Sequence, residues 1–338
     1  MVTPIESVDL RHSLITAASC WLAAVFVFWL HCDNPWWAVT SAWVVSSSDF
    51  HASTLKAIMR IAGTLAGYLV GLTCASLTEG NPAGQAVVLF LIGAIGTSMR
   101  YRSQFSYAWV IGSATAFILL VLDITNPGSV YDTGLFRVYE VISGIIAAAL
   151  CQRLLAPLLG LANPSMINAN PPIAVGPGTG LGTMALIGGL TPVVITVIWS
   201  WQNLPSLVQT IATTFVTIDR TLAASQSRIT QRILGCLLGG CVGLLAAAFA
   251  FSWWVWSMML FGGIFAFSRL HLSKGPSSYI GTQGGVAFIM AMVTGNHAPN
   301  TTDPVIGRVA GITGGVLVVA AIGLVLGLRP EKSCDEKV

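Results

Sequence analysis

The chain is 338 residues long, with 16 Lys and Arg against 13 Asp and Glu, a net charge of +3 and charged residues at only 9% of positions. Soluble domains carry roughly 25% charged residues. Here 54% of residues are hydrophobic and mean hydropathy is +0.78. No wettable surface can be built all round such a chain, which excludes a soluble domain and a nucleic-acid partner and implies an integral membrane protein in a lipid bilayer.

A helix needs about 20 apolar residues to cross a hydrocarbon core of roughly 30 Å. In chain order such segments fall at 12–31, 36–48, 55–78, 84–99, 105–123 and 136–159. Six more follow at 181–201, 204–218, 228–250, 253–269, 277–294 and 306–328. The expected fold is therefore all-α, with about twelve transmembrane helices in two six-helix repeats. The second helix of each half is short, so ten full crossings is the alternative. Residues 1–162 form the first repeat, 163–180 a linker rich in Pro and Gly, 181–328 the second repeat and 329–338 a polar cytoplasmic tail. No cleavable signal peptide is expected, because the first apolar stretch runs on as a full span.

The repeat is written in the residues. Arg60-Ile61-Ala62-Gly63-Thr64-Leu65-Ala66-Gly67-Tyr68-Leu69-Val70-Gly71-Leu72 returns as Arg232-Ile233-Leu234-Gly235-Cys236-Leu237-Leu238-Gly239-Gly240-Cys241-Val242-Gly243-Leu244, identical at eight of thirteen positions. Tyr107 with Gly112 recurs as Tyr279 with Gly284, and Arg137 with Gly144 as Arg308 with Gly315. Self-similarity over most of each half marks a duplication.

Charge sets the orientation. With the N-terminus cytoplasmic, 14 of the 16 basic residues fall on inward loops and helix ends, as the positive-inside rule requires. The rule holds in both halves, so each crosses an even number of times. The repeats then share one orientation about a pseudo-two-fold axis along the membrane normal, and both termini are cytoplasmic. A pathway is expected at the seam between them.

Arg137 and Arg308 are the two exceptions to the charge bias. Each opens the last helix of its repeat, where a terminal Arg can snorkel to the headgroups. Their matched positions also suit an electropositive mouth that holds carboxylates bidentately. Glu140, three residues after Arg137, shares its helix face; it is either an ion-pair partner or a proton-coupling carboxylate. Trp36 and Trp37 are placed at the outer interface, as part of an aromatic belt or as flanks for an aromatic substrate. Arg60 and Arg232, at the cytoplasmic start of the third helix of each repeat, have an anchoring or entrance role. The glycines at four-residue spacing, Gly63, Gly67, Gly71, Gly235, Gly239 and Gly243, form small-residue faces for close helix packing.

Other chemistry finds little footing. The seven Cys show no CxxC spacing and the five His no ligand spacing, so no metal site or cofactor is expected. No Walker, GxSxG or HExxH motif occurs, and no enzyme is expected.

Asn34-Pro35-Trp36-Trp37-Ala38 opening a short second helix, then Lys56 and Arg60-x-x-Gly63-Thr64-x-x-Gly67, then Arg137-x-x-Glu140-x-x-x-Gly144, resemble the fusaric-acid-resistance and aromatic-acid-exporter superfamily of bacterial inner-membrane proteins. The resemblance covers the first half and, more weakly, the second. It implies efflux of aromatic or hydrophobic carboxylates, often beside a periplasmic adaptor subunit. Many members carry large cytoplasmic domains between or after the bundles, and none is expected within these 338 residues. The expected function is export of small organic anions through the seam, with Arg137 and Arg308 binding carboxylate; a passive anion channel and a non-transporting scaffold subunit are the alternatives. Homo-oligomerisation through glycine faces is a further expectation.

Overall fold

In lipid the backbone has no water to bond, so apolar runs of this length satisfy themselves as helices. A computed structural model of the chain describes residues 10–161, 180–202, 207, 210–211, 214–215, 222–273, 275, 277–293 and 303–326. All regular structure among the described residues is helical. Six helices make up the first half: α1 (Leu10–Trp29), α2 (Trp36–Val45), α3 (Phe50–Thr78), α4 (Pro82–Arg102), α5 (Ser106–Thr125) and α6 (Val130–Leu158). In the second half lie α7 (Leu181–Gln202), α8 (Leu222–Ala248), α9 (Trp253–His271), α10 (Ser278–Met292) and α11 (Asp303–Val325). Between α7 and α8, residues 207, 210, 211, 214 and 215 are helical and buried, within the predicted segment 204–218. The linker up to residue 179 and the tail 329–338 lie outside the described residues.

Seven helices, α1 and α3 to α8, are long and apolar enough to cross a membrane. The protein is a multi-pass membrane protein. By contrast α2 has ten residues, about 15 Å at 1.5 Å per residue, or half a hydrocarbon core. It does not extend to residue 48 as the hydropathy suggested, because the backbone turns extended at Ser46.

Two helices begin earlier than their apolar runs. α3 starts at Phe50 rather than 55, where Asp49 accepts a hydrogen bond from the His51 N–H at 2.9 Å and satisfies a free donor of the first turn. α6 starts at Val130 rather than 136. Polar first turns are invisible to a hydropathy window yet helical once capped or packed.

Glycines set the helix contacts. α3 lies against α5 so closely that a Cβ on Gly63, Gly67 or Gly71 would overlap the backbone at Ala108, Gly112 and Ala116. α8 lies against α10 in the same way, with Gly235, Gly239 and Gly243 on the backbone at Ile280, Gly284 and Phe288. Each residue of the second set is 172 positions after its counterpart in the first.

The halves meet through α1 on α9, α2 on α10 and α4 on α7. Trp43, fully buried, crosses from α2: its Nε1 donates to the Thr282 carbonyl at 3.1 Å, its ring stacks on His271 at 4.6 Å, and it fills the space a side chain at Gly285 would need. On the other side Phe215 meets Phe117 edge-on at 5.6 Å, and Arg100 Nη1 donates to the Phe215 carbonyl at 3.1 Å. Gly93 and Gly188 bring α4 and α7 into backbone contact. At these levels large aromatics and backbone contacts join the two halves among the described residues.

Candidate functional site

The site grows from the broken second helix. Cys32 N–H donates to the Val27 carbonyl at 3.2 Å and Trp37 N–H to the Asn34 carbonyl at 3.0 Å, turning the chain from α1 into α2, with Pro35 at the helix start where its missing donor costs nothing. α2 then runs buried from Ala38 to Trp43. α6 covers it through Gly144, where any Cβ would strike the Ala38 carbonyl.

Arg137 reaches this helix from α6. It lies seven residues, about 10 Å, into α6 and is 4% exposed, so it does not open the helix at the interface as the sequence suggested. The reason is the early helix start at Val130. Its guanidinium carbon sits 3.7 Å over the Trp37 ring, and Nε donates to Thr115 Oγ1 at 3.3 Å. Nη1 is buried with no hydrogen-bond partner.

Glu140, 1% exposed, turns elsewhere. It accepts from the Asn34 N–H at 2.8 Å, just ahead of α2, where the positive end of a helix favours a carboxylate. Among the described residues no ion pair joins it to Arg137. The shared helix face put the two within reach of each other, but the arginine takes the ring and the threonine, and the carboxylate takes the backbone. Trp36 stacks on Trp37 at 3.8 Å, and both are only half-buried.

Arg60 reaches α2 from the opposite side. Ten residues of α3 precede it and it is 4% exposed, so it is not a surface anchor at a helix end. Nε donates to Ser41 Oγ at 3.0 Å and Nη1 to the Tyr107 hydroxyl at 2.8 Å. Ser41 in turn donates to the Trp37 carbonyl at 2.7 Å. Arg60 and Arg137 thus attach to positions one turn apart on α2. Thr64, one turn further along α3 than Arg60 and 1% exposed, has no partner for its hydroxyl.

The second half repeats part of this. Arg232 is 7% exposed and its Nη1 donates to the Tyr279 hydroxyl at 3.2 Å, matching Arg60 on Tyr107. The Arg308 side chain lies outside the described residues. Of the residues singled out in the sequence, Arg137, Glu140, Trp36, Trp37 and Arg60 gather around α2, whereas Arg232 sits in the other half. Ser41, Tyr107, Thr115 and Thr64 were missed as site residues. One signal was available: Arg60 and Tyr107 recur as Arg232 and Tyr279 at the same offset.

Residues 9–166 match the Fusaric acid resistance protein family. The match covers just under half of this chain. Every residue around α2 named above falls inside the family segment. The chain is also similar to the uncharacterized transporter YdhK of Escherichia coli K12, at 29% identity over 151 residues, 43% of this chain and 22% of that protein. The YdhK of Salmonella typhimurium is 31% identical over 152 residues, again 43% and 22%. The p-hydroxybenzoic acid efflux pump subunit AaeB of Enterobacter cloacae is 26% identical over 164 residues, 45% and 25%. The chain therefore spans about a quarter or less of the length of these relatives. No solved structure matches it.

Proposed function

We propose that this protein exports small organic anions, aromatic or hydrophobic carboxylic acids, across the bacterial inner membrane. The observation that carries the reading is Arg137. Its charge is permanent, it is buried inside a membrane protein, and one of its terminal nitrogens has no partner. Intramembrane charge of this kind marks transport pathways, and a guanidinium suits a planar carboxylate. Trp36, half-buried and stacked on Trp37, offers its outer ring face to an aromatic acid. The names of the YdhK and AaeB relatives favour the same class.

On this reading the protein is a transporter, not an enzyme, built of two parallel six-helix repeats, 1–162 and 181–328, with both termini cytoplasmic. The matched contacts at offset 172 support the duplication, and the family segment covers the half that holds the arginine site. An anion leaving a negative-inside cell gains about 2.3 kcal/mol per charge per 100 mV, so export needs no coupled proton. A periplasmic adaptor and a second copy of the chain are compatible partners.

The test is accumulation of a panel of aromatic acids, benzoate and p-hydroxybenzoate among them, in cells expressing wild type or Arg137→Gln at equal membrane levels. Wild type lowers accumulation of at least one acid and the variant does not. Equal efflux by both would remove Arg137 from the pathway, and no efflux of any acid by wild type would overturn the exporter reading.

A further inference from the structure

The two arginines around α2 pose a charge problem that the protein alone does not solve. Burying an ion costs several kcal/mol unless it is paired, and here Arg60 and Arg137, each 4% exposed, stand one helical turn apart along α2. Their hydrogen bonds go to neutral groups, Ser41, Tyr107 and Thr115, and Arg137 also stacks on the neutral Trp37 ring. The one buried carboxylate nearby, Glu140, accepts from the backbone at Asn34. Two positive charges thus face one negative charge, leaving the cluster one anion short.

Polar atoms around these arginines are also left over. Arg137 Nη1 has no partner, nor has the Thr64 hydroxyl. Many buried helical hydroxyls bond back to the carbonyl one turn earlier, as Thr16, Ser19, Ser41 and Thr115 do; Thr64 shares its unbonded state with Ser13, Thr40 and Thr97, and differs from them in standing one turn from Arg60 on α3. Thr64 does not bond back to Arg60. Tyr107 accepts from Arg60, which leaves its own proton available to donate.

We infer that Arg60 and Arg137, with Thr64 and Tyr107, form a single internal binding site for a monocarboxylate, contained wholly within the first six helices and not shared with the second half. The site holds one carboxylate between the guanidiniums. The second half carries the arginine–tyrosine pair, Arg232 and Tyr279, but Cys236 stands in the place of Thr64 and Ala287 in the place of Thr115. Neither can supply a hydroxyl, so Arg232 has a structural role. This inference rests on the anion-export reading and replaces the pairing of Arg137 with Arg308 by a pairing with Arg60.

The test uses the full-length protein in detergent and in liposomes, with benzoate as the probe, read as a benzoate-dependent rise in melting temperature and as the half-saturating concentration for transport. Thr64→Val removes a hydroxyl that has no internal partner, so it folds as wild type and raises the half-saturating concentration about tenfold, the loss of one hydrogen bond to a charged group. Arg60→Gln and Arg137→Gln abolish benzoate protection. Thr97→Val, which removes another buried unpartnered hydroxyl on α4, leaves it unchanged, as does Arg232→Gln in whatever fraction folds. Wild-type benzoate affinity in Thr64→Val, or equal loss in Thr97→Val, would overturn the site while leaving the exporter reading intact. Equal protection by chloride and benzoate would overturn the carboxylate assignment. Failure of the wild type to bind or move any aromatic acid would overturn both.

Discussion

Arg137 is held by a ring face and a threonine hydroxyl, and that choice of partners defines what can replace it. A desolvated cation over Trp is stabilised by about 2 kcal/mol, and the planar guanidinium both stacks and keeps an edge free for a second plane. Lysine keeps the charge but is a point donor that neither stacks nor binds bidentately. Arg137→Lys is therefore expected to insert normally and to need about tenfold more substrate for half-maximal efflux, roughly 1.4 kcal/mol. Initial efflux rates over a range of substrate concentrations check this; wild-type behaviour of Arg137→Lys would mean that charge alone matters at this position. Each arginine, read singly, was legible as an unusual basic residue. Their meeting was not, because 77 positions separate Arg60 from Arg137 and the link between them passes through Ser41 and the Trp37 backbone, groups with no signature of their own.

At the scale of elements, glycine spacing carried more information than hydropathy. The faces Gly63-Gly67-Gly71 and Gly235-Gly239-Gly243 lie where the sequence suggested close helix approach, and the structure supplies the partners, the backbones of α5 and α10. Hydropathy misjudged α2, α3 and α6 for different reasons. The first is apolar on all sides because it is enclosed by protein, and the other two begin with polar turns that no apolar window registers. Gly144 tests how firmly α6 fixes α2. Its Cβ would meet the Ala38 carbonyl, a backbone atom that cannot yield without moving the helix. Gly144→Ala should lower stability by about 1–3 kcal/mol, seen as a lower melting temperature in detergent and a smaller benzoate effect. Gly128→Ala, with no atom within 4 Å of the new Cβ, should leave both unchanged. Equal melting of the two variants would mean that α2 adjusts freely against α6.

For the whole molecule, the contacts between halves come in reciprocal pairs. α1 meets α9, the fourth helix of the second half, while α4 meets α7, the first. Trp43 leans on α10 at Gly285, and Phe215, 172 positions later, leans on α5 at Phe117. Gly144 admits the Ala38 carbonyl, and a Cβ on Gly315 would in the same way come within 3.1 Å of the Thr210 carbonyl oxygen. A two-fold arrangement generates pairs of this kind, since each surface then appears twice. The covalent connection through 163–180 would add little to such an assembly beyond raising the local concentration of its parts. A protease site placed in that stretch should thus yield halves that stay together on size exclusion in detergent and retain benzoate binding, because the arginine site needs only the first six helices. Gly93→Leu with Gly188→Leu, which forces α4 from α7, should weaken that association while the first half keeps its Arg60–Tyr107 contact. Halves that part on cleavage without these substitutions would mean that the seam, for all its buried aromatics, is held by the chain rather than by packing.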